Sequence, residues 1–171
     1  EMKPDRVGND KIKILEDTNG DGRCDKVTVF ADGLNIPTSL TFSRGGIIVA
    51  HVPDFLFLKD TDGDDKADTA DIEVRLTGWG IRDRHETLNS FHWGPDGWLY
   101  AAQGSTVTAN VIVYGADGKP TNAKPIYSQG QNIWRYHPEK RIYEVFSEGG
   151  GNAFGCEIDS QGRIFSGHNG G

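Results

Sequence analysis

The stretch EDTNGDGRCD, Glu16 to Asp25, decides the fold because KDTDGDDKAD, Lys59 to Asp68, repeats it with Asp60 standing 43 residues after Asp17. Asp, Asn and Gly at this density mark a tight turn, since their side chains bond the local backbone and glycine accepts positive φ. A turn that recurs at such a period marks an array of supersecondary units. Each copy is flanked by short runs in which apolar and polar residues alternate or β-branched types dominate. KIKIL (Lys11 to Leu15) and KVTVF (Lys26 to Phe30) flank the first, FLFL (Phe55 to Leu58) and DIEVRL (Asp71 to Leu76) the second. These are strand signatures, so each acidic loop is the tip of a β-hairpin.

A second set of hairpins is interleaved with the first: SLTFSRGGIIVA (Ser39 to Ala50), SFHWGPDGWLYA (Ser90 to Ala101) and GCEIDSQGRIFS (Gly155 to Ser166). Aligned without gaps, they put Gly46, Gly97 and Gly162 at one turn position where positive φ is useful. IWRYHPEKRIYEVF (Ile133 to Phe146) is a third outer hairpin, with HPEKR in place of the acidic loop. The expected fold is therefore all-β, a β-propeller of four-stranded antiparallel blades. The chain would hold the last two strands of one blade (11–34), a full blade (36–78), a full blade (87–148) with a long insertion (105–131), and the first two strands of another (153–168). That is a fragment of about three blades, whose partner is the remainder of its own propeller. A β-sandwich of hairpins is the alternative.

Composition narrows the function. With 23 glycines and 36% apolar residues in 171, the chain suits many short strands joined by turns. A formal charge of −7 excludes the basic footprint that nucleic acids and anionic membranes require. No apolar run reaches the ~20 residues of a membrane-spanning helix. Cys24 and Cys156 are either a distant pair or two free thiols.

In an up-and-down meander successive turns alternate between the two ends of the sheet. The acidic loops and HPEKR share one end with SRGG, GPDG and DSQG; the long loops all fall at the other, where function is expected. At the acidic end, Asp17, Asn19, Asp21 and Asp25 hold positions 1, 3, 5 and 9 of a Ca²⁺-type loop with Gly22 at position 6. Asp60, Asp62, Asp64 and Asp68 hold the same places in the second copy, with Asp65 where the glycine should be. The closing bidentate glutamate is replaced by Thr28 and Asp71. Solvated turns without an ion are the competing reading. At the far end, His85 stands beside Asp83, Arg84 and Glu86 as a candidate general base. Asn89, Asn152, His168 and Asn169 could line a ligand site there. His92 and His137 read as strand and turn residues, and Trp79, Trp93, Trp98 and Trp134 as packing.

Taken together, KILEDTNGDGRCDKVTVFADGLNIPTSL (Lys13 to Leu40), FLFLKDTDGDDKAD (Phe55 to Asp68), HETLNSFHWGPDGWLYAAQG (His85 to Gly104), IWRYHP (Ile133 to Pro138) and GGGNAFGCEIDSQGRIFSGHNGG (Gly149 to Gly171) resemble a known domain. It is the N-terminal propeller of the membrane-bound dehydrogenase family of planctomycetes and verrucomicrobia. The resemblance covers nearly the whole chain. It implies an exported, periplasmic or extracellular protein that oxidises a sugar or alcohol and passes electrons to a c-type haem domain, beyond helical repeats, that this chain lacks. More distantly the domain is similar to soluble quinoprotein sugar dehydrogenases, six-bladed propellers that use pyrroloquinoline quinone and calcium. Their catalytic histidine precedes a GPD turn; His85 is the nearest match, one residue too far, with Glu86 in the expected place. Gly151 stands where those enzymes carry an arginine. The alternative function is a non-catalytic, calcium-stiffened propeller that binds a glycan or a protein.

Overall fold

The computed structural model describes residues 8–81 and 87–169, with only the backbone of residues 168 and 169. The described chain is all-β and antiparallel, apart from one 3₁₀ turn at Thr69–Asp71. No helix among these residues is long and apolar enough to cross a membrane.

The chain opens with a hairpin of β1 (Asp10–Glu16) and β2 (Lys26–Leu34) around the first acidic loop. Four consecutive strands follow as neighbours: β3 (Pro37–Ser43), β4 (Gly46–His51), β5 (Asp54–Lys59) and β6 (Glu73–Trp79). A second four-stranded sheet has the order β12-β11-β8-β7, from β7 (Leu88–Trp93), β8 (Leu99–Gln103), β11 (Asn132–His137) and β12 (Ile142–Glu148). The last hairpin is β13 (Asn152–Ile158) with β14 (Ile164–Asn169).

The segment 105–131, expected as an irregular insertion, is itself a hairpin. Its β9 (Ala109–Val113) pairs with β6, and β10 (Ile126–Ser128) pairs with β9, widening the preceding sheet to six strands. A bulge at Gly78 makes that pairing possible: Gly78 takes φ +114°, and a Cβ there would lie 2.1 Å from the Asn110 carbonyl oxygen.

The gapless alignment of the inner hairpins is also corrected. The glycine with positive φ in the β3–β4 turn is Gly45 (+76°), matching Gly97 (+79°) and Gly162 (+76°), whereas Gly46 begins β4. Trp93 pairs with Leu99 and Ile158 with Ile164, as Phe42 pairs with Ile47. Ile47, Leu99 and Ile164 are thus the equivalent residues. The turns after β7 and β13 are one residue longer than SRGG, and this length sets which face each strand presents.

The sheets stack in chain order. Between β1–β2 and β3–β6 lie Ile47, Val49, Leu56 and Leu58 with Ile12 and Phe30. The main core joins the two large sheets through Phe55, Leu76, Trp79, Phe91, Trp134 and Tyr143. Tyr100, Ala102 and Ile133 meet Ala153 and Cys156 of the last hairpin.

Candidate functional site

The two acidic loops fold alike, as their shared sequence requires. In the first, Asp17 accepts hydrogen bonds from the N–H groups of Gly20 (2.7 Å), Asp21 (3.2 Å) and Gly22 (2.8 Å). In the second, Asp60 accepts from Gly63 (2.7 Å) and Asp65 (3.0 Å). Gly20 and Gly22 take φ of +78° and +85°, and Gly63 and Asp65 take +84° and +64°. Asp65 therefore occupies the left-handed region where glycine belongs, a conformation that aspartate tolerates better than most residues. The far carboxylates are held by threonines. Thr18 donates its N–H and hydroxyl to Asp25, and Thr61 does the same to Asp68.

These bonds favour the ionised carboxylates. The Gly22 N–H leads in holding Asp17 below the usual aspartate range, the Thr18 N–H does so for Asp25, and the Thr61 hydroxyl for Asp68. All three therefore keep their charge as pH falls past the value at which an ordinary aspartate protonates.

The loops differ in what remains for an ion. Oxygens bound to one Ca²⁺ at ~2.3–2.6 Å lie no more than about 5 Å apart. Carboxylate oxygens of Asp60, Asp62 and Asp68 meet this test, all within 4.8 Å of one another. Asp64 is drawn aside by the Lys66 ammonium at 2.7 Å. In the first loop the carboxylates of Asp17, Asp21 and Asp25 do not all meet this test, and Asn19, which stands where the second loop has Asp62, donates its amide N–H to the Asp21 carboxylate at 3.3 Å. Three hard oxygen donors fit Ca²⁺ in the second loop, and further donors would come from water or backbone carbonyls.

Asp60 of the second acidic loop lies beside Arg44 and Gly45 of the β3–β4 turn, and the inner turns SRGG and GPDG meet HPEKR around a cleft of about 440 Å³. It is lined by Phe42, Arg44, Trp93, Asp96, His137 and Glu139, and Arg44 pairs with Glu139 across it. The opposite end gathers the other candidates. Asn89 on β7 donates to the Ala153 carbonyl (3.2 Å) and accepts from the Gly155 N–H (3.3 Å), tying β7 to β13. Buried Asn152 accepts from the Ser105 N–H at 3.1 Å. The backbones of His168 and Asn169 pair with Ala153 and Asn152. The four residues are therefore brought to one end of β7, β13 and β14, with both described amides engaged by backbone. His85, with Asp83, Arg84 and Glu86, lies outside the described residues.

Two groups that the sequence did not single out also sit at this end. Asn132, 2% exposed at the start of β11, has neither amide atom paired among the described residues, and His51 has a buried unpaired Nδ1. Neither has a sequence signal beyond its place at a strand end.

The remaining candidates are structural. Trp79 is buried and donates to Gln103 at 3.2 Å, and His137 packs edge-on against Trp98. His92 lies 3.4 Å from Glu157 on β13. Both thiols are free: Cys24 is exposed on the acidic loop, while burial pushes the Cys156 thiol up to about 11.

No curated protein and no solved structure matches this chain. A family model does match, over residues 2–171, so the chain belongs to the family described as Domain of unknown function (DUF7133).

Proposed function

We propose that the chain is part of a β-propeller that Ca²⁺ stiffens at the Asp60 loop and that presents a carbohydrate- or alcohol-binding surface at the opposite end. The convergence of Asp60, Asp62 and Asp68 carries this reading. Supporting the propeller are a six-stranded sheet, whose β3 to β6 form a four-stranded meander, and a four-stranded sheet, stacked in chain order between two hairpins with apolar contacts at each step. Ca²⁺ at about a hundred times its Kd is expected to add roughly 2.7 kcal/mol. For a domain of this size that raises Tm by roughly 5–10 °C. Asp60→Asn together with Asp68→Asn should abolish the rise. A wild-type Tm indifferent to Ca²⁺ removes the ion from the proposal.

A second reading makes the same end the active site of an exported dehydrogenase. The gathering of Asn89, Asn152 and the backbones of His168 and Asn169 favours it. In this reading His85 takes the proton of a substrate hydroxyl as hydride leaves the adjacent carbon for an acceptor, and electrons pass on to a c-type haem domain. Pyrroloquinoline quinone would lack its cation there, since Gly151 occupies the arginine position. In the parent holoenzyme His85→Ala should lower turnover by about 10²–10⁴-fold with the β-sheet circular dichroism unchanged. Unaltered turnover removes His85 from the mechanism.

A further inference from the structure

The cleft of about 440 Å³ between the β3–β4, β7–β8 and β11–β12 turns takes part in none of the roles proposed above. All its walls belong to the two large sheets in the middle of the chain, so it depends neither on the first and last hairpins nor on the propeller reading. Its volume lies at the low end of the ~300–1,000 Å³ typical of small-molecule sites, the size for a mono- or disaccharide rather than a long chain.

An aromatic face is held open there. Trp93 ends β7 and is 36% exposed, whereas Trp79 and Trp134 are buried. Its indole N–H is engaged by the Phe42 carbonyl at 3.0 Å, across the seam between the two sheets. The ring is therefore fixed in orientation and offers a ligand its π surface.

Acceptors and donors flank that ring. Asp96 lies in the β7–β8 turn, where the Trp98 N–H (3.2 Å) and the Tyr100 hydroxyl (2.7 Å) each bond one of its oxygens. Its carboxylate is thus fixed yet 43% exposed, and an ionised carboxylate has about four acceptor sites, so some stay free. The support is itself anchored, because Arg135 donates to the Tyr100 hydroxyl at 3.2 Å and bonds Glu144 through Nε (2.9 Å) and Nη2 (2.6 Å). Arg44 and Glu139 reach over the cleft from the other two turns and pair with each other. Their side chains are 68% and 52% exposed, so solvent screens the attraction and hydroxyl groups can take over its hydrogen bonds at little cost.

This set selects by charge. A free anion would meet the carboxylates of Asp96 and Glu139, and a free cation would meet the guanidinium of Arg44. A neutral group that both donates and accepts finds a partner in each. Hydroxyls do this, donating to a carboxylate and accepting from a guanidinium. A ring that carries several of them, with one apolar C–H face, can also lay that face on the indole, whose negative π surface attracts the positive C–H edges. We propose that the cleft binds a neutral sugar, its ring stacked on Trp93, one hydroxyl donating to Asp96 and others replacing the Arg44–Glu139 pair.

Isothermal titration and saturation-transfer NMR on the 171-residue chain, with glucose, galactose, N-acetylglucosamine and cellobiose as probes, test this. At least one probe is expected to bind and to take up saturation at the C–H protons of one ring face. Inorganic phosphate and spermidine should not displace it. Trp93→Ala should weaken binding about tenfold, and Trp93→Phe, which keeps an aromatic face, should restore most of the loss. Because Trp93→Ala also removes the bond to Phe42 across the seam, Arg44→Ala and Glu139→Gln repeat the test on exposed side chains where the fold is not at stake. Each should weaken binding by about two- to tenfold with circular dichroism unchanged. No binding of any of these sugars at millimolar concentration, tighter binding of phosphate or spermidine, or sugar binding indifferent to all these variants overturns the proposal. The last result would place the sugar at the opposite end of the sheets instead.

Discussion

Trp134→Ala is expected to cost about 3–5 kcal/mol, the range for truncating a large buried aromatic side chain. Trp134 is fully buried, and its ring lies 5.7 Å from Phe55, 5.9 Å from Phe91, 5.5 Å from Trp79 and 5.6 Å from Tyr143. Those partners come from β5, β7, β6 and β12, so one side chain joins both large sheets. Thermal unfolding followed by circular dichroism should show a Tm lower by roughly 6–20 °C. The buried indole N–H has no hydrogen-bond partner among the described residues. Trp134→Phe, which keeps most of the ring and removes an unpaired donor, should therefore cost less than about 2 kcal/mol. A loss below ~1 kcal/mol for the alanine variant would mean that the two sheets do not share this core.

Gly78→Ala is expected to loosen the β9–β10 hairpin selectively. The added Cβ meets the Asn110 carbonyl at 2.1 Å, and φ +114° is strained for any other residue, so at least about 2 kcal/mol is lost. Hydrogen exchange should accelerate in β9 and β10 while β7, β8, β11 and β12 stay protected. Gly118→Ala is the control. It has φ +70° but nothing within 4 Å of the new Cβ, so only the intrinsic cost of about 1 kcal/mol remains. Equal exchange rates in both variants would show that the close approach of β6 to β9 is not what holds the hairpin.

What reading the sequence could reach is local in origin. Alternation in KIKIL and KVTVF marks strands because successive side chains point to opposite faces. The acidic loops mark turns because Asp17 and Asp60 bond N–H groups within five residues of themselves. The candidate site was legible only as a set of residue types. Asp64 is a ligand by spacing, yet the Lys66 ammonium occupies it. Asn89 and Asn152 are ligand residues by position along the chain, yet each is bound to a backbone group far away in sequence.

Local chemistry specifies an all-β chain of short antiparallel hairpins, two of them tipped by one recurrent acidic turn, since period-two alternation and Asp-Gly turn chemistry act within a few residues. Contacts in space settle that 105–131 adds strands to the preceding sheet, that Gly45 rather than Gly46 makes the β3–β4 turn, and that Asp60, Asp62 and Asp68 bring three carboxylates together while Asp64 does not join them. Each of these depends on which backbone or charge lies opposite in space. Pairing across dozens of residues is set by the packing of whole faces, and no short stretch of sequence carries it.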